Sequence, residues 1–229
     1  MKTPVRIHNM AKRILLLGAT GRTGSLALEY ALSQGLEVTA LVRCSAAITA
    51  SSDKLTVVEG SPLNAGDIAN AIAGCEAVVS ALNNNRTSDN PWARRLSPSL
   101  FMTNSIRNCL ATMKEQGMRR IVVLSSIGVN ESFDDAVFFM RWLIRNTNLQ
   151  YTFQDHDAQE SELRRSALDW TAVRAAGLNN GKRLKSLVVS YYNEPKPAMM
   201  ISRLHTARYL IDCLNDQSTF RKTPVISER

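Results

Sequence analysis

A glycine-rich turn near the N-terminus constrains the fold of this 229-residue chain more than any other feature. Gly18-Ala19-Thr20-Gly21-Arg22-Thr23-Gly24 follows the apolar run Ile14 to Leu17 and precedes a helix-like stretch from Ser25 to Gln34. Gly35 then leads into a second β-branched run that ends Leu41-Val42-Arg43. A strand, a glycine turn, a helix and a second strand within about thirty residues are typical of a βαβ unit. We therefore predict a parallel sheet with this turn at the carboxyl end of its first strand.

The turn predicts a dinucleotide site. A diphosphate binds bare backbone N–H groups at a helix N-terminus, where the helix dipole is positive, and a Cβ at the closest approach would block it. A strand-to-helix turn that binds nothing is the alternative. The predicted contacts in the turn are Gly18, Thr20, Gly21, Arg22, Thr23 and Gly24.

The residue after the second strand predicts which dinucleotide binds. An NAD-specific site places Asp or Glu there to accept from the ribose 2′-hydroxyl, and that carboxylate repels a 2′-phosphate. This chain has Arg43 instead, and Arg22 is a second cation within reach of the same group. A guanidinium binds phosphate through two parallel charge-assisted bonds. We predict NADP(H) as the cofactor, with a merely solvated Arg43 as the alternative.

Alternating strand-like and helix-like segments predict an α/β fold with a Rossmann-type doubly wound parallel sheet. The predicted strands are continuous apolar runs, as in strands covered on both faces, at residues 13–17, 37–42, 55–59, 77–82, 121–124 and 170–173. The predicted helices are residues 25–34, 66–73, 99–116, 155–166 and 203–214. We expect a single domain over residues 1–229, with a small irregular C-terminal extension at about 175–229 on the substrate side.

Composition and charge limit which partners and which cell compartment we expect. The net charge is +8, but the basic residues are scattered and no recognition motif accompanies them, so we predict no nucleic-acid partner. No apolar run approaches the length of a membrane span and residues 1–12 lack a signal-peptide core, so we expect a cytoplasmic protein with no membrane partner. We also expect a monomer or homodimer without a metal site. The cysteines, predicted to be free thiols, are Cys44, Cys75, Cys109 and Cys213.

The loops that follow the first, fourth, fifth and sixth strands are expected to meet in one crevice. In open parallel sheets, ligands bind at the carboxyl ends of the strands, near the switch in strand order. These loops comprise residues 18–24, 81–85, 125–126 and 174–178. Ala81, Leu82 and Ser125 are accordingly predicted to contact the cofactor.

The ordered set of motifs resembles the atypical short-chain dehydrogenase/reductases. The resemblance is carried by the glycine turn, Leu41-Val42-Arg43, Leu124-Ser125-Ser126, the segment from Ser166 to Arg174, and Ile201-Ser202-Arg203. Within that superfamily the chain is most similar to the NmrA-like and biliverdin reductase B (flavin reductase) branch. The resemblance implies NADP(H) binding, a strand order of 3-2-1-4-5-6 plus an extra edge strand, and Ser126 as an active-site polar residue.

The chain departs from the superfamily in its proton donor. Many members use a Tyr-x-x-x-Lys pair in which the lysine lowers the pKa of the tyrosine. Tyr192 and Lys196 have that spacing but follow the sixth strand, so we interpret the match as coincidental. His156, between Asp155 and Asp157, is a candidate to hold a proton near neutrality. A histidine at a helix N-terminus, beside a capping Asp155, is an equal alternative.

The sequence favours an NADPH-dependent oxidoreductase that transfers hydride to a small conjugated or carbonyl-bearing acceptor, by preference aromatic. Ser126 and His156 are its predicted catalytic residues. A redox-sensing regulator that binds NADP(H) without turnover, or an isomerase in which the nucleotide is structural, fits the same fold. One apolar patch is expected in the core or at a subunit contact, with an acceptor wall or lid as the alternative. The patch comprises Phe133, Phe138, Phe139, Met140 and Trp142.

Overall fold

A computed structural model describes residues 11–133 and 138–229 of the chain. Its strands are β1 (Arg13–Leu17), β2 (Glu37–Val42), β3 (Leu55–Glu59), β4 (Ala77–Ser80), β5 (Arg120–Ser126), β6 (Asp169–Ala175), β7 (Gly177–Asn179), β8 (Leu187–Ser190), β9 (Met200–Ser202) and β10 (Val225–Glu228). Its helices are α1 (Gly24–Ser33), α2 (Ala65–Ile72), α3 (Phe101–Glu115), α4 (Phe138–Asn146), α5 (Leu149–Arg165) and α6 (Arg203–Asp212).

The main sheet confirms the predicted Rossmann-type α/β fold. Within the described residues its strand order is β3-β2-β1-β4-β5-β6-β10-β8. Read in this spatial order, each neighbouring pair of strands from β3 through β6 to β10 is parallel. The last strand, β8, is antiparallel to β10. The predicted order of the first six strands is therefore correct, but two strands rather than one extend the edge beyond β6. The order reverses between β1 and β4, which is where such sheets bind ligands.

Helices cover both faces of the sheet, and β1 shows how the sequence produces this. Side chains alternate across a strand, so successive residues reach opposite faces. Ile14 and Leu16 pack into the core beside α1 and α6, whereas Leu15 and Leu17 pack beside α2, α3 and α5. All four are fully buried, which explains why β1 is a continuous apolar run rather than an alternating one.

The edge strand β3 departs from the prediction that every strand is covered on both faces. Thr56, Val57 and Glu59 are exposed, and no residue of β3 is fully buried. Among the described strands, β3 pairs only with β2 and has no neighbour on its outer side. An apolar run alone does not distinguish an edge strand from a central one.

Helix α5 begins at Leu149, six residues earlier than predicted, and this relocates Asp155. Asp155 does not cap its own helix. Its buried carboxylate instead accepts hydrogen bonds from the backbone of Met102 at 3.0 Å and of Thr103 at 2.9 Å, in the first turn of α3. The Thr103 hydroxyl at 2.7 Å and the Asn84 amide at 3.1 Å donate to the same carboxylate. Asp155 thus joins α5 to α3 and to the loop after β4.

Candidate active site

Two adjoining cavities, which share several lining residues, lie at the carboxyl ends of the strands. The first, of about 520 Å³, is lined by the glycine turn, by Arg43 after β2 and by Ala81 and Leu82 after β4; we name it the glycine-turn cavity. The second, of about 470 Å³, is lined by the ends of β5 and β6, by α5 and by the loop before β9; we name it the β5–β6 cavity. The loops predicted to meet therefore do so. Residues that line both cavities are Arg22, Asn83, Arg86, Asp89, Leu124, Thr152, Leu178 and Arg203.

The glycine turn packs so closely against neighbouring backbone that two of its positions have no room for a Cβ. Gly18 has a φ of +80°, and a Cβ there would lie 2.9 Å from the Ala81 backbone. A Cβ on Gly24 would lie 1.9 Å from the carbonyl oxygen of Gly18. The first turn of α1 contains no acidic residue, and the side chain of its N-cap, Thr23, forms no capping hydrogen bond. The positive end of α1 is thus available to an anion, so the turn fits a diphosphate.

The two arginines predicted at the phosphate differ in their surroundings. Arg43 is exposed, and no carboxylate among the described residues pairs with its guanidinium. Arg22 instead forms a bidentate ion pair with Asp89, with both N···O distances 2.7 Å. The Arg22 hydrogen bond lowers the pKa of Asp89. The expectation that both arginines grip one phosphate needs this correction: Arg22 already has an anionic partner.

Two further arginines, which the sequence analysis missed, line the junction of the cavities. Burial lowers the pKa of both Arg86 and Arg203, and the nearby Arg22 charge acts in the same direction. Arg203 also donates to the Asn180 side chain at 2.7 Å. Crowded cations of this kind attract an anion. The only sequence signal is the presence of arginine in the loop after β4 and at the start of α6.

The two serines at the end of β5 face different partners. The Ser125 hydroxyl donates to Glu160 at 2.7 Å, so a cofactor contact from this side chain would be as an acceptor. The half-buried Ser126 donates to the Ile127 carbonyl at 3.0 Å, and both serines line the β5–β6 cavity. A hydroxyl has two acceptor lone pairs besides its donor, so Ser126 retains capacity for a ligand.

A buried ion-pair network contacts Ser125 through the Glu160 carboxylate. Arg174 and Glu160 are fully buried and paired at 2.6 Å, and Glu131 contacts Arg174 at 2.9 Å. Although burial alone would raise the pKa of Glu131, its hydrogen bond from Arg174 lowers it to about 2. The network joins β6, α5 and the turn after β5. Arg174 was predicted to lie in the crevice, but no pattern in the sequence indicated Glu160 and Glu131 as its partners.

His156 lines the β5–β6 cavity from the second turn of α5. Burial lowers its pKa to about 4, against the opposing effects of the Asp155 and Glu160 carboxylates. The expectation that it holds a proton near neutrality is therefore wrong, because the flanking acids do not offset its desolvation. Its buried Nδ1 has no hydrogen-bond partner among the described residues. The neutral ring is thus a hydrogen-bonding group rather than a cation.

The Tyr192 and Lys196 pair is separated by the fold. Tyr192 is 94% exposed and lies outside the lining of the β5–β6 cavity, whereas Lys196 contributes to that lining. The predicted apolar patch is divided as well. Met140 lines the cavity, but Phe138, Phe139 and Trp142 are exposed on α4, so a place in the core is wrong for these three.

Two further predictions concern the cysteines and membrane-spanning helices. All four cysteines are free; Cys44 is exposed and the other three are buried. Among residues 11–133 and 138–229, no helix has the length and apolar content needed to cross a bilayer.

Comparison with known proteins identifies the family. A family model described as NAD(P)H-binding matches residues 18–217. A chloroplastic protein of Arabidopsis thaliana, itself uncharacterised, is 26% identical over 225 residues, which cover 94% of this chain and 77% of that protein. Among solved structures, a short-chain dehydrogenase/reductase of Veillonella parvula in complex with NADP is similar, with 19% identity, a TM-score of 0.76, and coverage of 96% and 95% of the two chains.

The reductase ChuY of Escherichia coli, an anaerobilin reductase, is also similar, with 19% identity, a TM-score of 0.75, and coverage of 94% and 97% of the two chains. At such identities a structural likeness shows the fold alone. The family model, however, spans most of the chain, from the glycine turn to the end of α6. The chain therefore belongs to the NAD(P)H-binding family and has the Rossmann fold of short-chain dehydrogenase/reductase-like proteins.

Proposed function

We propose that this protein is an NADPH-dependent oxidoreductase whose acceptor is a small conjugated or carbonyl-bearing molecule, by preference aromatic. The observation that carries the proposal is that the two cavities adjoin at the switch point of the sheet. One cavity fits an anionic nucleotide, and the other has an apolar wall with two hydrogen-bonding groups, Ser126 and His156. Enzymes of this kind place cofactor and acceptor side by side, and bound NADPH would supply the hydride.

The residues that would hold NADP(H) are those predicted from the sequence. The glycine turn would hold the diphosphate, and Arg43 the 2′-phosphate, while Ala81, Leu82 and Ser125 lie at the strand ends along the two cavities. A preference for NADP(H) over NAD(H) is supported by the absence, among the described residues, of any acidic lining residue other than Asp89. Titration calorimetry with NADP+ and NAD+ tests this preference, and equal affinities would contradict it.

The β5–β6 cavity offers an environment suited to a flat acceptor. Its apolar lining includes Met140, Phe153 and Met199, which would contact the ring of such an acceptor. In this proposal the Ser126 hydroxyl turns from the Ile127 carbonyl to donate a hydrogen bond to an acceptor oxygen, and neutral His156 donates or accepts a second one. A histidine with a pKa of about 4 is neutral at physiological pH, so in this proposal the proton that balances hydride addition comes from water through these groups.

A panel of acceptors tests the activity. Purified protein mixed with NADPH and with flavins, quinones and aromatic ketones is expected to oxidise NADPH with at least one of them. Ser126→Ala is expected to lower kcat by about 100-fold, because a donor aimed at a developing oxyanion contributes about that much. Ser51→Ala, at an exposed site outside both cavities, is the matched control. Failure of every acceptor to oxidise NADPH would refute the oxidoreductase assignment.

A regulator that binds NADP(H) without turnover is the second candidate. It is favoured by one observation, the low pKa of His156 together with the exclusion of Tyr192 from the β5–β6 cavity. Such a protein would bind both NADP+ and NADPH, leave both unchanged in the acceptor panel, and bind a protein partner in a nucleotide-dependent way.

We further propose that the chain acts as one domain, as a monomer or homodimer, in the cytoplasm. The Arabidopsis relative, by contrast, is chloroplastic. A small-molecule partner rather than a nucleic acid is supported by the place of the basic residues. Arg22, Arg86 and Arg203 converge on the cavities, which accounts for part of the net charge of +8. Fractionation of cells that express a tagged chain tests the location.

A further inference from the structure

The β5–β6 cavity carries an excess of positive charge. Four cations line it, and Asp89 is the one acid among its described lining residues. Three of the cations also line the glycine-turn cavity, but Lys196 lines the β5–β6 cavity alone. Lys196 therefore lies beside the β5–β6 cavity and not beside the glycine turn. The other three cations are Arg22, Arg86 and Arg203.

Within the described parts of the chain, Lys196 has no anionic partner of its own. Among the residues that the structure describes, no carboxylate pairs with its ammonium group, although Arg22 and Arg174 on the same side of the sheet both have such partners. In the sequence, Lys196 stands out only through its spacing from Tyr192, and the proposed chemistry gives it no role. A cation on the rim of an apolar cavity is placed to select a charged ligand.

The backbone around Lys196 is fixed, which makes its position on the rim a property of the fold. Tyr191 and Glu194 bond each other's backbone, with both N···O distances 3.0 Å. After Lys196, the Ala198 amide donates to the Ser227 hydroxyl at 2.9 Å, and the Lys196 carbonyl accepts from Arg229. The segment is thus attached to β10 and the C-terminus, so the ammonium group extends from a fixed Cα.

We propose that the acceptor carries an acidic group, a carboxylate or a phosphate, and that Lys196 selects for it. This inference rests on the proposed function, since the acceptor is the molecule assigned to the β5–β6 cavity. The apolar wall of Met140, Phe153 and Met199 contacts the conjugated ring, while the ammonium group of Lys196 pairs with the anion at the rim. A lysine is a compact point charge on a flexible stem, which suits an anion whose distance from the ring varies.

Matched pairs of neutral and anionic ligands test the inference. Riboflavin and FMN share one ring and differ by a phosphate; an acetylnaphthalene and its carboxylic acid derivative differ by a carboxylate. Dissociation constants are measured on NADP+-saturated protein, so that no turnover is needed. We expect at least one anionic member to bind about three- to tenfold more tightly than its neutral partner, as a solvent-accessible charge pair provides. Which pair shows the preference distinguishes phosphate from carboxylate.

Variants assign that preference to Lys196. Lys196→Gln is expected to abolish the difference within the pair, by weakening only the anionic member, and Lys196→Arg to retain most of it. Lys114→Gln, at the far end of α3 and outside the cavity, is the matched control. These variants keep the backbone hydrogen bonds of the segment, so a general loss of structure would weaken both members of a pair.

The outcomes separate this inference from the proposed function. Equal affinities within both pairs, including no measurable binding of any member, or an equal loss for both members in Lys196→Gln, would overturn the role of Lys196. The acceptor panel with NADPH is decided independently of that result. Conversely, a charge preference that depends on Lys196 in a protein that oxidises no NADPH would leave the anion site standing and refute the oxidoreductase.

Discussion

At the scale of single residues, Arg22 and Arg43, both predicted to bind one phosphate, differ in their ionic partners. Asp89 already neutralises Arg22, whereas Arg43 has no ionic partner among the described residues. The phosphate that reaches Arg43 displaces only water, while a phosphate that reaches Arg22 must displace a carboxylate. In the proposed cofactor site, discrimination between the two dinucleotides is therefore expected to depend mainly on Arg43.

Replacement of Arg43 tests that division. Arg43→Ala is expected to weaken NADP+ binding by about 10- to 100-fold, because a charge-assisted bond to phosphate is worth about 1.5–3 kcal/mol. The affinity for NAD+ is expected to stay within about twofold, since NAD+ has no 2′-phosphate. Calorimetric titration gives both constants, and Arg165→Ala, an exposed arginine on α5, is the control. An equal loss for the two nucleotides would show that Arg43 does not read the 2′-phosphate.

The free energy of unfolding is expected to depend on pH through His156. The burial of this side chain determines the direction of that dependence. Its pKa falls from the ordinary 6.5 to about 4 on folding, so between these values the unfolded chain binds more protons than the folded one. The corresponding stability is fully present above pH 6.5 and is lost as the pH falls toward 4. From pH 7 to pH 5 we expect wild type to lose on the order of 1–2 kcal/mol more than His156→Asn does. Urea denaturation at both pH values measures the difference, and parallel losses would place the ring in a solvated site.

At the scale of elements, Asp155 caps a helix to which it does not belong. The N-cap of α3, Leu100, has a φ of +52° and offers no side-chain acceptor, so the Asp155 carboxylate from α5 satisfies the first amides of α3. The loop after β4 is attached to the same carboxylate through Asn84. One side chain thereby fixes the relative position of two helices and of a loop that lines both cavities.

Loss of this cap is expected to cost more than loss of an ordinary one. Asp155→Ala leaves several buried donors without an acceptor and is expected to destabilise the fold by about 2–4 kcal/mol. Asn64→Ala removes an exposed local cap from α2 and is expected to cost about 1 kcal/mol. Denaturant titration of the two variants compares them directly. A cost for Asp155→Ala no larger than that for Asn64→Ala would contradict the shared-cap interpretation.

Elements were predictable from the sequence where their signals are local. The strands β1 to β6 are apolar runs, and α1, α2 and α6 end near glycine, polar or small residues, so their bounds agree with prediction within a few residues. Helix α4 and the first six residues of α5 were missed, because Asn148 caps α5 without a side-chain bond. The short strands β7 to β10 were also missed, since their pairing partners lie far along the chain.

At the scale of the whole molecule, the network around Arg174 joins the carboxyl edge of the sheet to its helical layer. Arg174 on β6 contacts Glu160 on α5 and Glu131 in the turn after β5, and Glu160 accepts from the Ser125 hydroxyl. These groups lie together only in the folded chain. A buried charge stripped of its partner is among the costliest single changes.

Truncation of Arg174 tests the importance of the network. Arg174→Met is expected to lower stability by about 3–5 kcal/mol, since the buried Glu160 carboxylate loses its buried partner and keeps only the longer contact to the exposed Arg164. Arg164→Met removes an exposed cation that contacts the same two carboxylates and is expected to cost no more than about 1 kcal/mol. Both values come from chemical denaturation. Similar losses for the two variants would mean that the burial of Arg174 adds nothing.

The candidate site was predictable only in its local parts. The glycine turn and Arg43 could be found because backbone geometry and strand position determine their roles over a few residues. The partners of Arg22, Ser125 and Arg174 are 67, 35 and 14 residues away, and no pattern in the sequence signals such pairings. The charge state of His156 was also not predictable, because it depends on burial. The flanking acids in the sequence suggested a protonated ring instead.

The ion pair between Arg22 and Asp89 has a consequence for how nucleotide affinity responds to ionic strength. At Arg22 an incoming phosphate replaces a carboxylate, so the number of neutralised charges at that guanidinium does not change. Added salt screens both pairings alike, because the two side chains are 58% and 70% exposed. The arginine without a resident anion, Arg43, gains a new pairing that salt weakens. We therefore expect rising potassium chloride to erode the affinity for NADP+ much more than that for NAD+, so that discrimination between the two is sharpest in dilute buffer.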